Sequence, residues 1–201
     1  MKNKIIKDAL ALTLITLVAG VALGGVYEIT KDPIARQEAQ AKAEAYEQVF
    51  TDAAAFEEIE MDDTLIQTIR DQLDQEGYKA QSIEEVMRAE DQSGETLGYA
   101  FTVVTSEGYG GDIQFSMGVQ NDGTLNGISI LSIGETAGLG MNADTPAFKD
   151  QFVGKQVEKL QYTKNGATQD DEINAISGAT VTTNAMTNGV NAGLCAFRVM
   201  E

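Results

Sequence analysis

Apolar and polar positions change their period three times along the chain. Residues 9–27 form an almost unbroken apolar run, with no charge, several glycines, and only Thr13 and Thr16 as hydroxyls. At about 1.5 Å per residue the run covers roughly 28 Å, close to the ~30 Å hydrocarbon core of a bilayer. A helix satisfies its own backbone there, so the pattern predicts a transmembrane anchor over 9–27. The competing reading is a cleaved signal peptide. Ala22-Leu23-Gly24 has its small-x-small pattern, but the run exceeds the ~7–15 apolar residues of such peptides. Pro33 preceded by Asp32 then predicts a new helix, with Asp32 as N-cap and Pro33 at N1. Residues 34–50 are rich in Ala, Glu and Gln with a weakly apolar face, which reads as a stalk. Leu65, Ile69 and Leu73 recur at i, i+4 and i+8 and predict a helix over 62–76 that Gly77 ends.

Beyond Gly77 the period falls to two. Runs over 82–89 and 96–105 flank Gln92-Ser93-Gly94, and runs over 112–119 and 125–131 flank Asn121-Asp122-Gly123. Such flanked turns predict an antiparallel meander of four strands. A Gly-rich loop over 133–141 follows, then a short helix over 145–152 with Pro146 at N1. Strands over 157–163 and 173–175 flank Asn165-Gly166, which predicts one more hairpin. Met186, Val190, Leu194 and Phe197 stripe a final helix over 181–200. The fold class is α+β: an N-terminal transmembrane helix, then one domain of antiparallel sheet and flanking helices. The organisation is a tail over 1–8, the span over 9–27, a stalk and linker over 28–60, and the domain over 61–201.

Composition removes whole classes of chemistry. The chain has no His, no Trp, one Cys, 14 basic and 31 acidic residues, and a formal net charge of −17. Without imidazole there is no Ser–His–Asp or Cys–His hydrolase. One Cys cannot close a disulfide, and zinc or iron–sulfur sites need about four such ligands. The acid excess disfavours nucleic acid. A redox role would therefore need an organic cofactor or a partner's centre. Lys2, Lys4 and Lys7 favour a cytoplasmic N-terminus, while Lys31, Arg36 and Lys42 follow the run closely, so charge alone leaves the orientation open.

The segment Ile176-Ser177-Gly178-Ala179-Thr180-Val181-Thr182-Thr183 joins a predicted strand to a predicted helix. A helix N-terminus presents free N–H groups and partial positive charge, which suits a phosphate. Small neighbours leave the Thr180 hydroxyl reachable. The structural alternative is that Thr180 or Thr182 merely caps the helix. Asn165-Gly166-Ala167-Thr168 repeats Gly-Ala-Thr without a helix after it and so lacks that context. Gly134-Glu135-Thr136-Ala137-Gly138-Leu139-Gly140 would let a flat ligand approach the backbone, or would be a tight turn. Tyr109, within Gly108-Tyr109-Gly110-Gly111-Asp112, is either a stacking partner or an ordinary strand-edge aromatic. Lys155 reads as a solvated lysine before a phosphate ligand, and Cys195 as packing.

Taken in order, these features resemble the G subunit of the Rnf complex, the ion-translocating ferredoxin:NAD oxidoreductase. The resemblance runs over essentially the whole chain: the anchor, Thr30-Lys31-Asp32-Pro33-Ile34, residues 108–113, Asn121-Asp122-Gly123, residues 135–140, and residues 176–183 before the last helix. It implies a membrane-anchored electron-transfer subunit whose 61–201 region is an FMN-binding domain. It implies FMN attached through its phosphate to Thr180 by a separate flavin transferase with FAD as donor. Ser177, Gly178 and Ala179 match the attachment motif, with Thr182 and Thr183 beside it. Glu135, Thr136, Gly138 and Leu139 match the second loop, a wall for the isoalloxazine ring. Asn174 stands where many members carry Asp, and Ala137 where Pro is common. The resemblance also implies other Rnf subunits as partners and a domain on the extracytoplasmic side of the cell membrane. A second reading is the covalent-FMN subunit of a sodium-pumping quinone reductase, or a free-standing surface flavoprotein. A third is an anchored extracytoplasmic binding or structural domain without cofactor.

Overall fold

The computed structural model describes residues 2–200, which form two units, one up to Ala41 and one from Lys42 onward. The first is built from a single helix, α1 (Lys2–Val49), long and apolar enough to cross a membrane. Its Leu, Ile and Val side chains from Ile5 to Ile29 are exposed. The hydroxyls of Thr13 and Thr16 donate to the carbonyls of Ala9 (2.9 Å) and Leu12 (3.1 Å), so neither is left unpaired in an apolar setting. The helix break expected at Asp32-Pro33 is absent: Pro33 lies inside α1. A proline removes one ladder bond and crowds the preceding turn, at about 3 kcal/mol. The Ala-, Gln- and Glu-rich stretch after Pro33 carries the helix on.

The second unit takes the last turns of α1 and adds β1 (Ala55–Glu58), α2 (Asp63–Glu76), β2 (Gln81–Glu90), β3 (Thr96–Thr105), β4 (Ile113–Gln120) and β5 (Leu125–Ile133). The five strands form one antiparallel sheet in chain order. The four expected strands are β2 to β5. The fifth, β1, carries two consecutive acids that masked it, and Arg88 pairs with its Glu57. After β5 come a short α3 (Pro146–Lys149), β6 (Gln161–Thr163), β7 (Glu172–Asn174) and α4 (Thr180–Met200). β6 and β7 pair in parallel, not as the hairpin expected around Asn165-Gly166. The intervening loop folds on itself instead, with the Glu172 carboxylate accepting the N–H groups of Thr168 (2.8 Å) and Gln169 (3.2 Å).

Alternation along β3 sends side chains to two layers. Phe101 and Val103 join the main core with Ile69 and Leu73 of α2 and Met186, Val190, Leu194 and Phe197 of α4. Ala100 faces the opposite way, into a second cluster with Tyr46, Val49 and Phe50. The Tyr46 hydroxyl lies 2.7 Å from that of Thr102. The Phe50 ring occupies the hollow over Gly118, where a Cβ would come within 2.9 Å of it. So the stretch read as a stalk ends as the cover of one sheet face. On the other face Gly189 and Gly193 let α4 press onto Phe115 and Met117. The buried Asn191 amide bonds both the N–H (2.7 Å) and the carbonyl (2.9 Å) of Leu160, fixing the approach to β6.

Candidate functional site

α4 starts just past β7, and one side chain holds the junction. The hydroxyl of fully buried Thr183 accepts from the Ile176 N–H (3.0 Å) and donates to the Ala179 carbonyl (2.9 Å). Gly178 supplies the bend at φ +76°, a conformation that costs other L-residues about 1–2 kcal/mol. The first helical backbone bond runs from Thr183 N to Ala179 O at 3.0 Å. The N–H groups of Thr180, Val181 and Thr182 therefore precede the ladder and form the positive mouth of the helix. Thr180 is half-buried at that mouth. Neither Thr180 nor Thr182 makes a side-chain hydrogen bond among the described residues. The turn-holding role that was the alternative reading of both belongs to Thr183.

The second segment folds onto this mouth. Buried Glu135 accepts the N–H groups of Tyr109 (2.7 Å) and Gly110 (3.3 Å), which draws the loop over 108–111 against the loop over 134–140. A Cβ on Gly140 would lie 2.5 Å from Glu135 Oε2 and 2.6 Å from Thr182 Oγ1. Only glycine lets that loop lie on the first turn of α4. Leu139 Cδ2 reaches within 3.1 Å of the position of a Cβ on Gly178. From the other side Glu107 accepts from Asn184 (3.2 Å) and Asn188 (2.7 Å), tying the 108–111 loop to α4.

The result is a cleft of about 520 Å³ lined by Tyr109, Glu135, Thr136, Leu139, Gly140 and residues 178–182. Small-molecule sites fall in the range of about 300–1,000 Å³. Tyr109 is 76 % exposed, Val181 50 % and Leu139 43 %. Among the described residues after Ala41, the other large exposed apolar side chains are Ile66 and Val153, so three of five gather at this cleft. An aromatic and two aliphatic side chains beside a helix mouth suit a flat ligand with an anionic tail.

Of the sequence candidates, the cleft collects Glu135, Thr136, Leu139, Gly178, Ala179, Thr180 and Thr182. Ser177 is exposed outside its lining, Thr183 is inside the turn, and Gly138 serves the loop at φ +76°. Val181 and Gly140 belong to the lining without having been singled out. Val181 had a signal, as the one apolar residue in a run of hydroxyls. Tyr109 lines the cleft. Lys155 donates to the carbonyl of Asp170 (2.6 Å) and does not line the cleft. Thr168, the second Gly-Ala-Thr, gives its hydroxyl to Glu172 (3.3 Å) in a loop with no helix mouth. The Cys195 thiol is buried 3.4 Å from Glu76, and burial with that carboxylate pushes it up to about 12, which suits packing and not reactivity.

Two family models match the chain: an FMN-binding domain over residues 108–194 and an RnfG N-terminal region over residues 1–49. The chain is 32 % identical over 196 residues to the G subunit of the Na⁺-translocating ferredoxin:NAD⁺ oxidoreductase complex of Acetobacterium woodii, covering 96 % of this chain and 92 % of that one. It is 29 % identical over 189 residues to the G subunit of the proton-translocating complex of Clostridium ljungdahlii, covering 94 % and 89 %. The crystal structure of Shewanella oneidensis NqrC superposes with a TM-score of 0.48 at 21 % identity, covering 57 % of this chain and 58 % of that one.

Proposed function

The chain belongs to the family of G subunits of the Rnf-type ion-translocating ferredoxin:NAD oxidoreductases, and we propose that it carries its FMN as a phosphoester of Thr180. It is an FMN-bearing, membrane-associated electron-transfer subunit of that oxidoreductase, and its partners are the other subunits of the complex. Full-length similarity to G subunits and the N-terminal match favour this setting over the C subunit of a quinone reductase.

The observation that carries the attachment site is the convergence on Thr180. Its hydroxyl is unpartnered, at a helix mouth, in the cleft where the exposed apolar side chains meet. FMN fits these residues. The N–H groups of α4's first turn offset phosphate charge, and Tyr109, Leu139 and Val181 offer faces to the ring system. Glu135 orients the wall through the Tyr109 and Gly110 N–H groups. Exposed Thr136, buried Thr182 and the Gly178-Ala179 backbone add polar groups to the lining. Ser177 and Thr183 act on the motif's presentation and on its turn, and Gly138 on the loop that carries Leu139. Bound there, FMN supplies one- and two-electron transfer between redox centres of the partners, and a covalent link retains it as the domain docks and undocks.

A separate flavin transferase with FAD as donor makes the bond in this reading. The domain lies on the extracytoplasmic side in this reading, as the family resemblance implies, since the basic residues on the two sides of the span balance. Residues 9–27 contain no charged side chain, so the span offers no ion path, and translocation belongs to the whole complex. Co-expression with a flavin transferase, followed by a denaturing gel, tests the site. A flavin-fluorescent band is expected, lost in Thr180→Val and retained in Thr168→Val. A band that survives Thr180→Val overturns the assignment.

A further inference from the structure

A second groove lies apart from the flavin cleft, between α2 and the start of β2. We propose that it docks an extended, carboxylate-bearing segment of another subunit of the complex, added as a strand to the free edge of β2. The proposal rests on the reading that the chain works within that complex.

The edge is free because β1 is short. β1 pairs with Met87–Glu90 only, and Ile59 N adds one bond to the Val86 carbonyl (2.9 Å) before the chain turns away into α2. Among the described residues no strand covers 81–85 on that side. An uncovered edge is a template for strand addition. In its place is a groove of about 460 Å³, with Ile66 and Ile83 among its apolar lining.

Two further observations specify the occupant. Arg70 and Lys79 line the groove with a single acid, Asp74, and among the described residues neither cation has a carboxylate partner, although the chain's net charge is −17. Unpaired cations at one groove of an acidic chain complement an acidic ligand. Tyr78 Oη and Gln81 Oε1, on two buried residues of the lining, lack hydrogen-bond partners among the described residues. Native proteins rarely leave such atoms unpaired. An incoming main chain brings both N–H and carbonyl groups to them, which a bare carboxylate anion does not.

The test uses the full chain in the purified complex, with Ser82 replaced by the photoactivatable amino acid p-benzoylphenylalanine. After irradiation and digestion, mass spectrometry should map the cross-link to an acidic segment of another subunit. Arg70→Glu with Lys79→Glu should cut its yield at least fivefold. Tyr78→Phe keeps the ring over which Lys159 sits at 5.3 Å and removes an unpartnered hydroxyl. It should lower the yield at least twofold while leaving the thermal midpoint unchanged. A cross-link confined to this chain or to lipid, one on a basic segment, or a yield indifferent to charge reversal overturns the docking site. Flavin fluorescence at Thr180 and co-purification are read on the sample without charge reversal. Their loss overturns the functional reading and the docking with it, whereas their retention without the cross-link overturns the docking alone.

Discussion

Of the two glycines that line the cleft, Gly140 has the less room. Gly140→Ala forces a methyl between Glu135 and Thr182, an overpacking that costs about 1–3 kcal/mol. We expect flavin incorporation at Thr180 to fall at least fivefold by in-gel fluorescence, with the urea midpoint lowered. Gly178→Ala acts through backbone strain at φ +76° and should cost about 1–2 kcal/mol while displacing Leu139. Cys195 makes the opposite kind of prediction. With its thiol pushed up to about 12, it stays neutral from pH 6 to 9 and out of reach. Iodoacetamide at pH 8 should leave the folded chain unmodified, and the alkylated fraction should follow unfolding in urea. Alkylation of the folded chain at the rate of a free thiol would contradict that burial.

At the scale of elements, α2 is held to α4 by an ion pair whose pH dependence has a definite sign. Burial alone would raise the Glu76 carboxyl, but hydrogen bonds from Gln72, Arg198 and Cys195 outweigh it and hold it below the usual carboxylate range. A carboxyl with a lower pKa folded than unfolded stabilises fully above its unfolded value. That contribution is lost as pH falls through the folded value. The difference in urea midpoint between wild type and Glu76→Gln should be largest at pH 7 and shrink below about pH 4. The end of α1 has a larger role. Phe50→Ala empties the hollow over Gly118 and should cost about 3–5 kcal/mol. Tyr46→Phe removes the bond to Thr102 while keeping the ring, at about 1 kcal/mol.

At the scale of the molecule, the proposed orientation has a simple readout. Asn165→Cys puts a thiol in the exposed loop between β6 and β7, while Cys195 is buried. A membrane-impermeant maleimide should label intact cells carrying Asn165→Cys and leave the unsubstituted chain unlabelled. No labelling until the cells are broken would place the domain on the cytoplasmic side. How much of this was legible in the sequence depends on range. Turn chemistry at Gln92-Ser93-Gly94 and Asn121-Asp122-Gly123 discloses the meander of β2 to β5, because hairpins are local. Asn165-Gly166 marks a bend equally well but cannot say that β6 pairs in parallel with β7, since the partner is chosen by the core. The Ser177–Thr180 motif was visible as a possible helix mouth. Its meeting with residues 134–140 was legible only through family resemblance, because Gly140 against Thr182 is a contact between distant segments. The groove at β2 left no mark in the sequence, since it depends on where β1 stops.

The packing of Tyr46, Val49 and Phe50 on the sheet fixes where a water-soluble form of this protein can be cut. A fragment starting at Lys42 keeps both layers of the sheet covered. One starting at Asp62 leaves Ala89, Ala100 and the hollow over Gly118 bare to solvent, and should precipitate or associate through that face.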